Sequence, residues 1–426
     1  MILSSLAIKP VWQPLNATVR VPGSKSLTNR ALLLASLAKG TTRLTNALFS
    51  DDSRYFVKAL QTLGFDVRLD EAKLEMTVIG QGGTIPVKKA KLFIGNAGTA
   101  ARFLSAFLTL GNGEYIVDGD ERMRQRPIAD LVDALHQLGV ELEVTNNCPP
   151  VEIYAKGLPG GKTKIAGNIS SQFLSALLMV APYAQSPVEI ELTTDLNSKP
   201  YVDMTIAIMR DFGVEIEREG YRFFRIPITN YEERDSYPIE SDASAASYFF
   251  AAPAICGGTV RVENISRKSK QGDIAFLNIL EKIGCAIKEG DDYIEVTGTN
   301  ELQGIDVEMR DISDTAQTLA VVAPFAASPT RIRGIASARV KETDRVSATC
   351  TELRRLGVQV EEHEDGMTIQ PCKTFQPSNV ETYNDHRMAM AFSLIGLCCD
   401  GVTIENPGCV SKTFPNYFEV LDSLRA

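Results

Sequence analysis

Basic charge is in short supply in this chain. Its 426 residues carry 44 Lys and Arg against 53 Asp and Glu, a formal net charge of −9 with the three histidines neutral. That balance argues against a nucleic-acid binder, which needs a broad basic face. No stretch reaches the roughly 18 apolar residues of a membrane helix. Residues 1–10 lack the charged region and apolar run of a signal peptide. No membrane partner and a cytoplasmic location are therefore expected. Eight cysteines are scattered without a C-x-x-C pair, and His136, His363 and His386 are too few to build a Cys/His zinc site. Buried or incidental thiols in a reducing compartment fit better. No Asp/Glu cluster suggests a metal cage, so neither metal nor cofactor is expected. Gly95-Asn96-Ala97-Gly98-Thr99 is neither a dinucleotide fingerprint nor a Walker loop, because the lysine and the spacing are missing. Ser170-Ser171-Gln172 has no histidine nearby and no G-x-S-x-G exists, which argues against a hydrolase elbow.

What the chain does have is a period. A hydrophobic helix ending in an apolar residue and glycine, then an alternating strand, recurs at Leu63-Gly64, Leu138-Gly139, Phe212-Gly213, Ile283-Gly284 and Leu356-Gly357, with glycines 71 to 75 residues apart. Such a period is the signature of a repeat architecture. Each unit reads as a first helix, A, opened by a polar loop, then a strand, a second helix, B, the glycine stop and two strands. The A helices start near Ser24-Lys25-Ser26, Asn96 to Thr99, Ser170 to Gln172, Asp242 to Ser244, Asp314-Thr315 and Asn384 to Arg387, and are apolar on more than one face, as buried helices are. The B helices are amphipathic: Ile128, Leu131, Val132 and Leu135 follow the i, i+3, i+4, i+7 pattern. A sixth unit stops at Ala426 without closing strands, so the N-terminal strands Leu6-Ala7-Ile8 and Thr18 to Val21 are expected to complete it. Units of about 70 residues bury a core poorly alone. Three per domain is the natural grouping, with residues 1–22 plus 241–426 in one domain and 23–240 in the other. An open solenoid is the alternative. The chain would cross twice between domains, which suits a hinge.

The cations stand in unusual places. Helix N-termini favour acidic neighbours, yet Lys25 and Arg30 open the first A helix, and Arg102 follows the Gly95 to Thr99 loop. Arg122, Arg124 and Arg126 crowd one B-helix loop, and Lys199 precedes Pro200. Arg339, Lys341 and Arg345 surround Glu342 and Asp344, while Arg387 and Lys412 belong to the last unit. With free backbone N–H groups and small Ser, Thr and Gly residues, these loops read as anion sites. Arg pairs bidentately with carboxylate and phosphate, so a small ligand with two or more anionic groups is expected. Among the cations, Asp314 reads as an N-cap or as a general base. Glu342 reads as part of a surface ion-pair cluster or as an acid–base group. His386 could cap its helix or donate to an anion; Tyr201 could lie under a carbocycle or in the core.

Pro22 to Arg30, Gly95 to Thr99, Arg122 to Pro127, Ser170-Ser171-Gln172, Ser198-Lys199-Pro200-Tyr201, Arg339 to Arg345 and Asn384 to Arg387, taken together and in order, resemble the 5-enolpyruvylshikimate-3-phosphate synthases along essentially the whole chain. The resemblance implies an α/β fold of two domains, each of three βαβαββ units, with the active site in the cleft between them. It implies transfer of the enolpyruvyl group of phosphoenolpyruvate to the 5-hydroxyl of shikimate 3-phosphate, without a cofactor. Carried over by position, Lys25, Ser26, Arg30, Ser170, Ser171, Ser198, Tyr201, Asp314, Ser337 and Lys341 would hold shikimate 3-phosphate. Lys25, Asn96, Gly98, Thr99, Arg126, Gln172, Arg345, His386, Arg387 and Lys412 would hold phosphoenolpyruvate. Asp314 would take the 5-hydroxyl proton with Lys25 sharing that duty, and Glu342 would handle the methylene proton. Ser337 departs from the asparagine common in the family and reaches less far. Gly98 fits the glyphosate-sensitive form, and a monomer is expected. Two rivals differ in kind. The sister transferase acting on UDP-N-acetylglucosamine would need a cysteine between Asp118 and Arg126, where none stands. A non-catalytic anion-binding repeat would need the cations but not Asp314 and Glu342.

Overall fold

The computed structural model describes residues 4–425. Within them the repeat appears as helix pairs: α1 (Lys25–Leu37) and α2 (Asp51–Thr62), α3 (Gly98–Leu108) and α4 (Ala129–Gln137), α5 (Ser171–Val180) and α6 (Lys199–Asp211), α7 (Ala243–Cys256) and α8 (Phe276–Lys282), α9 (Ala316–Val322) and α10 (Arg345–Arg355), α11 (His386–Gly396) and α12 (Tyr417–Asp422). The odd-numbered helices are the A helices. Every residue of α3, α9 and α11 is buried, and α1 is buried from Leu27 onward. The even-numbered helices turn only one face inward, as with Leu131, Val132, Ala134 and Leu135 of α4. Gly64, Gly139, Gly213, Gly284 and Gly357 follow the first five B helices with φ between 85° and 114°. A side chain there would be strained, so the five-fold recurrence of glycine is a backbone requirement.

The chain forms two compact units: a continuous one, Gly23–Ile239, and a split one, made of residues up to Pro22 together with those from Glu240 onward. In the continuous unit α3 packs against both α1 and α5, and in the split unit α7, α9 and α11 pack on one another. Five of the six sheets among the described residues have four strands in one constant order, and the sixth has three. In the second repeat Lys89–Phe93 runs parallel to Asn112–Asp118, which pairs antiparallel with Cys148–Lys156, which in turn pairs with Glu141–Thr145 at the edge. The first two strands flank the A helix as a parallel crossover, which needs a helix-length connection.

One expectation fails. Ser5–Ala7 pairs antiparallel with Val402–Glu405 and closes the sixth sheet, but Leu15–Arg20 does not join it. That strand runs parallel to Gly258–Glu263 as the first strand of the fourth sheet, with Val19 opposite Val262. The matching strand of the first sheet is Tyr237–Pro238, parallel to Lys39–Thr45. At each passage between units, therefore, the strand that precedes an A helix in sequence belongs to the other unit's sheet. Alternation identifies the buried face of a strand but not its neighbour, which is why the pairing was not legible. Val19 is buried against Val260 and Val262. Val19→Ala should cost about 1.5–3 kcal/mol, read as faster amide exchange at Val260 and Val262 with α3 unaffected.

Candidate functional site

In the continuous unit the expected residues gather at the N-terminal ends of helices. None of the six A helices among the described residues carries an acidic residue in its first turn; α7 and α11 have acidic caps, Asp242 and Asp385, and the positive ends of the other four have no acid at the cap or in the first turn. Ser24 caps α1 by accepting the Leu27 N–H at 3.4 Å, and Ser170 caps α5 by accepting that of Gln172 at 3.3 Å. Lys25, the first residue of α1, lies 3.4 Å from the buried carboxylate of Asp52 at the start of α2. Gln172 donates to Thr99 at 3.3 Å, joining the starts of α5 and α3. Arg126 donates to both the carbonyl and the side-chain oxygen of Asn96, at 3.1 and 2.9 Å. Gly98 gives this guanidinium room, since a Cβ there would stand 2.4 Å from Arg126 Nη2. Ser198 holds a left-handed backbone, φ 56°, at the start of α6.

Arg30 is the extreme case. It is 1% exposed and donates only to neutral oxygens: Thr205 Oγ1 at 2.8 Å, Ser26 O at 3.0 Å, Tyr201 O at 3.3 Å and Ser175 Oγ at 3.4 Å. The Phe103 ring centroid lies 5.1 Å away. Burial pulls its pKa down to about 10, with Tyr201 opposing. A buried cation surrounded by neutral acceptors has room in its charge balance for an anion.

The split unit solves the same problem in the opposite way. Arg345, at the start of α10, donates to Asp385 at 2.7 and 3.3 Å, to Glu342 at 2.8 Å and to Asp314 at 3.1 Å. Burial works against this guanidinium, but Asp385, Glu342 and Asp314 overcome it and hold its pKa above the usual value. Asp314 also accepts from Arg387 at 2.7 Å, and Arg387 donates to Tyr248 OH at 3.4 Å. Lys412 lies 4.0 Å from Glu342. Asp314 therefore does not act as the cap of α9; the cap position is Thr315. Nor does His386 cap α11. Asp385 does so, accepting the Arg387 N–H at 2.9 Å, with its Oδ1 3.5 Å from His386 Nδ1. Ser337 lies in a 3-10 turn, Ala336–Val340, that leads to Lys341.

Several loop cations prove to be committed to the fold. Arg124 pairs with Asp118 through two bonds, at 3.0 and 2.7 Å. Arg339 clips Asp344, Glu362 and two carbonyls. Arg102 donates to Gly98 O at 3.2 Å and Pro127 O at 2.7 Å, pinning the start of α3 to the loop that presents Arg126. Three acids went unread in the sequence: Asp52, Asp385 and Asp273. Asp385 alone had a signal, as an Asp before a helix start. Asp273 is buried, accepts from Ser244 and is pushed up to about 6 by burial and by Asp314, with Arg387 opposing and Asp242 adding to the rise. Nothing in its neighbours in sequence marks it.

Comparison with known proteins follows from this geometry. A family model described as EPSP synthase (3-phosphoshikimate 1-carboxyvinyltransferase) matches residues 11–421. A protein of Nostoc punctiforme named 3-phosphoshikimate 1-carboxyvinyltransferase is 51% identical over 418 residues, covering 98% of each chain. One of the same name from a Sulfurovum species is 49% identical over 426 residues, covering 99% of each. A solved structure titled as EPSP synthase from Acinetobacter baumannii superposes with a TM-score of 0.82 at 25% identity, covering 99% of this chain and 98% of that one.

Asp273 yields a pH test. Its folded pKa lies above that of an unfolded carboxylate, so the native state binds the extra proton. The stability it lends is full below about pH 4 and is lost as the pH rises through about 6. Wild type should therefore lose more stability than Asp273→Asn between about pH 4 and pH 7, measured as urea midpoints; parallel curves would refute the shift.

Proposed function

The chain belongs to the EPSP synthase (3-phosphoshikimate 1-carboxyvinyltransferase) family, and on that footing we propose how its side chains divide the reaction. The enzyme moves the enolpyruvyl group of phosphoenolpyruvate to the 5-hydroxyl of shikimate 3-phosphate and releases phosphate, a step toward chorismate and the aromatic amino acids. The reaction is addition then elimination. The 5-oxygen attacks C2 as a proton is added at C3, giving a tetrahedral intermediate. A proton then leaves C3 as the phosphate departs.

On our reading, Ser26, Arg30, Ser170, Ser171, Ser198, Tyr201, Ser337 and Lys341 hold shikimate 3-phosphate. Arg30 fits this duty because, among the described residues, its hydrogen bonds go only to neutral oxygens. Lys25, Gly98, Arg126, Gln172, Arg345, Arg387 and Lys412 hold phosphoenolpyruvate, with Asn96, Thr99 and His386 beside them. Asp314 accepts the 5-hydroxyl proton, with Lys25 sharing that transfer, and Glu342 gives and retrieves the proton at C3. The supporting observation is that Arg345 donates to both carboxylates at once, 3.1 Å to Asp314 and 2.8 Å to Glu342. Arg345 and Arg387 both donate to Asp314, and the carboxylate and phosphate of phosphoenolpyruvate compete for the same guanidiniums as the second substrate arrives. Positioning by fixed cations, with charge aimed at C2, carries the remainder of the rate.

We place the enzyme in the cytoplasm as a monomer that glyphosate inhibits. In support, no helix among the described residues is long and apolar enough to cross a membrane.

Phosphate release from phosphoenolpyruvate should require shikimate 3-phosphate, with UDP-N-acetylglucosamine inert as acceptor. Asp314→Ala should lower kcat by about 10²- to 10⁴-fold with the circular dichroism spectrum unchanged; wild-type turnover would end the base assignment. Gly98→Ala should displace the Arg126 guanidinium. We expect it to raise both the KM for phosphoenolpyruvate and the glyphosate inhibition constant, the former by roughly tenfold, equivalent to about 1.4 kcal/mol. Unchanged constants would refute it.

A further inference from the structure

Four of the eight cysteines lie together in the split unit, away from every residue assigned above. Cys256 is the last residue of α7, just before Gly257. Cys398 and Cys399 stand in the turn after α11, their N–H groups both donating to Ile395 O at 3.0 Å. Cys399 titrates under the influence of Cys398 and Cys372, and Cys256 under that of Cys398 and Cys399. All four are free thiols and half-buried, whereas Cys285, Cys350 and Cys409 are fully buried. The Sγ atoms of Cys398 and Cys256 are 2.8 Å apart, although 142 residues separate them in the chain. Among the described residues no group of three or more His, Cys, Asp or Glu could hold a metal ion, so a metal does not account for the cluster.

We propose that Cys256 and Cys398 form a modification site: on exposure to a peroxide they close to a disulfide that ties the C-terminal end of α7 to that of α11. The sulfurs need to approach by only about 0.8 Å to reach bonding distance. The first step oxidises Cys398. Its sulfur attacks one peroxide oxygen, the O–O bond breaks, and Cys398 sulfenic acid and one water result. In the second step the Cys256 sulfur attacks the sulfenic sulfur. The S–O bond breaks, and the hydroxyl leaves as water with the Cys256 proton. Two thiols and one hydrogen peroxide thus give one disulfide and two waters, with two electrons passing from the sulfurs to the peroxide.

The neighbours favour this pairing. Burial, then the charges of Cys398 and Cys372, push the Cys399 thiol up to about 12, which leaves little thiolate there. The Cys372 sulfur donates to Thr374 O at 3.3 Å. The hydrogen bond with Cys398 and then burial raise the Cys256 thiol far above its ordinary value, so Cys256 is not the first to attack, and the 2.8 Å between the two sulfurs is what selects it as the partner of Cys398. Because the closed loop is long, the crosslink restricts the unfolded chain near the upper end of what a disulfide achieves. The helices it joins carry Ser244 and Arg387 near their opposite ends, so the bond leaves those ends untouched.

The test treats the full-length reduced protein with hydrogen peroxide, quenches with an alkylating agent and maps peptides by tandem mass spectrometry without reductant. The expected product is one crosslinked pair, Cys256 to Cys398, two hydrogens lighter than its parts and reversed by dithiothreitol. The melting temperature should rise by about 5 °C or more. Cys399→Ser should keep both effects, and Cys256→Ser should lose both. Four results would each overturn the proposal: sulfinic acid on Cys398 beside a free Cys256, a link from Cys398 to Cys399 or Cys372, unmodified thiols, or the crosslink without stabilisation. The wild-type map alone decides the matter if Cys256→Ser does not fold.

Discussion

A helix buried on every side can meet polar groups only at its ends. Six helices among the described residues are in that position, and α3, α9 and α11 are buried along their whole length. Their first turns carry no acid, so each buried rod ends in a set of backbone donors and a partial positive charge. The sheets cover the flanks and the B helices the outside. The rest of the chemistry depends on that constraint: serines and acids cap the ends, cations are held beside them, and small anions are what such a surface suits.

The two units resolve their buried charge differently. Arg30 is satisfied by hydroxyls and carbonyls, so its hydrogen bonds are met while its charge is not. Arg345 is surrounded by three carboxylates, so its charge is more than met. An incoming dianion gains most from the first arrangement and must compete with protein carboxylates in the second. Asp385, fully buried and fixed as the cap of α11, keeps its bidentate hold on Arg345 and so limits how far that side chain can move.

Much of this was legible in the chain. The glycine spacing marked five B-helix ends because only a residue free of a side chain accepts the backbone those ends adopt. Four of the A-helix starts carry chemically distinctive capping residues, Ser24, Ser170, Asp242 and Asp385, whereas α3 and α9 have no side-chain cap. Cations at the loops were legible as a class but not individually: Arg124 and Arg339 look like Arg126 in sequence, yet their charge is spent on Asp118, Asp344 and Glu362. Asp314 illustrates the same limit, since capping and proton transfer both call for an Asp before a helix. The strand Leu15–Arg20 showed its buried face clearly and its partner not at all. Asp273 was invisible, because its character comes from burial and from Asp314, Arg387 and Asp242 converging on it in space.

The exchanged first strands bear on how the protein is made. The continuous unit has all its strands once Pro238 has emerged from the ribosome, so it can finish folding while the remainder is still being translated. The strand Leu15–Arg20 is made among the first residues, yet its partner Gly258–Glu263 follows well over two hundred residues later. At about 5–20 residues per second that wait is on the order of ten to fifty seconds. During it, an alternating apolar strand has no native neighbour and must be kept from joining a foreign sheet edge.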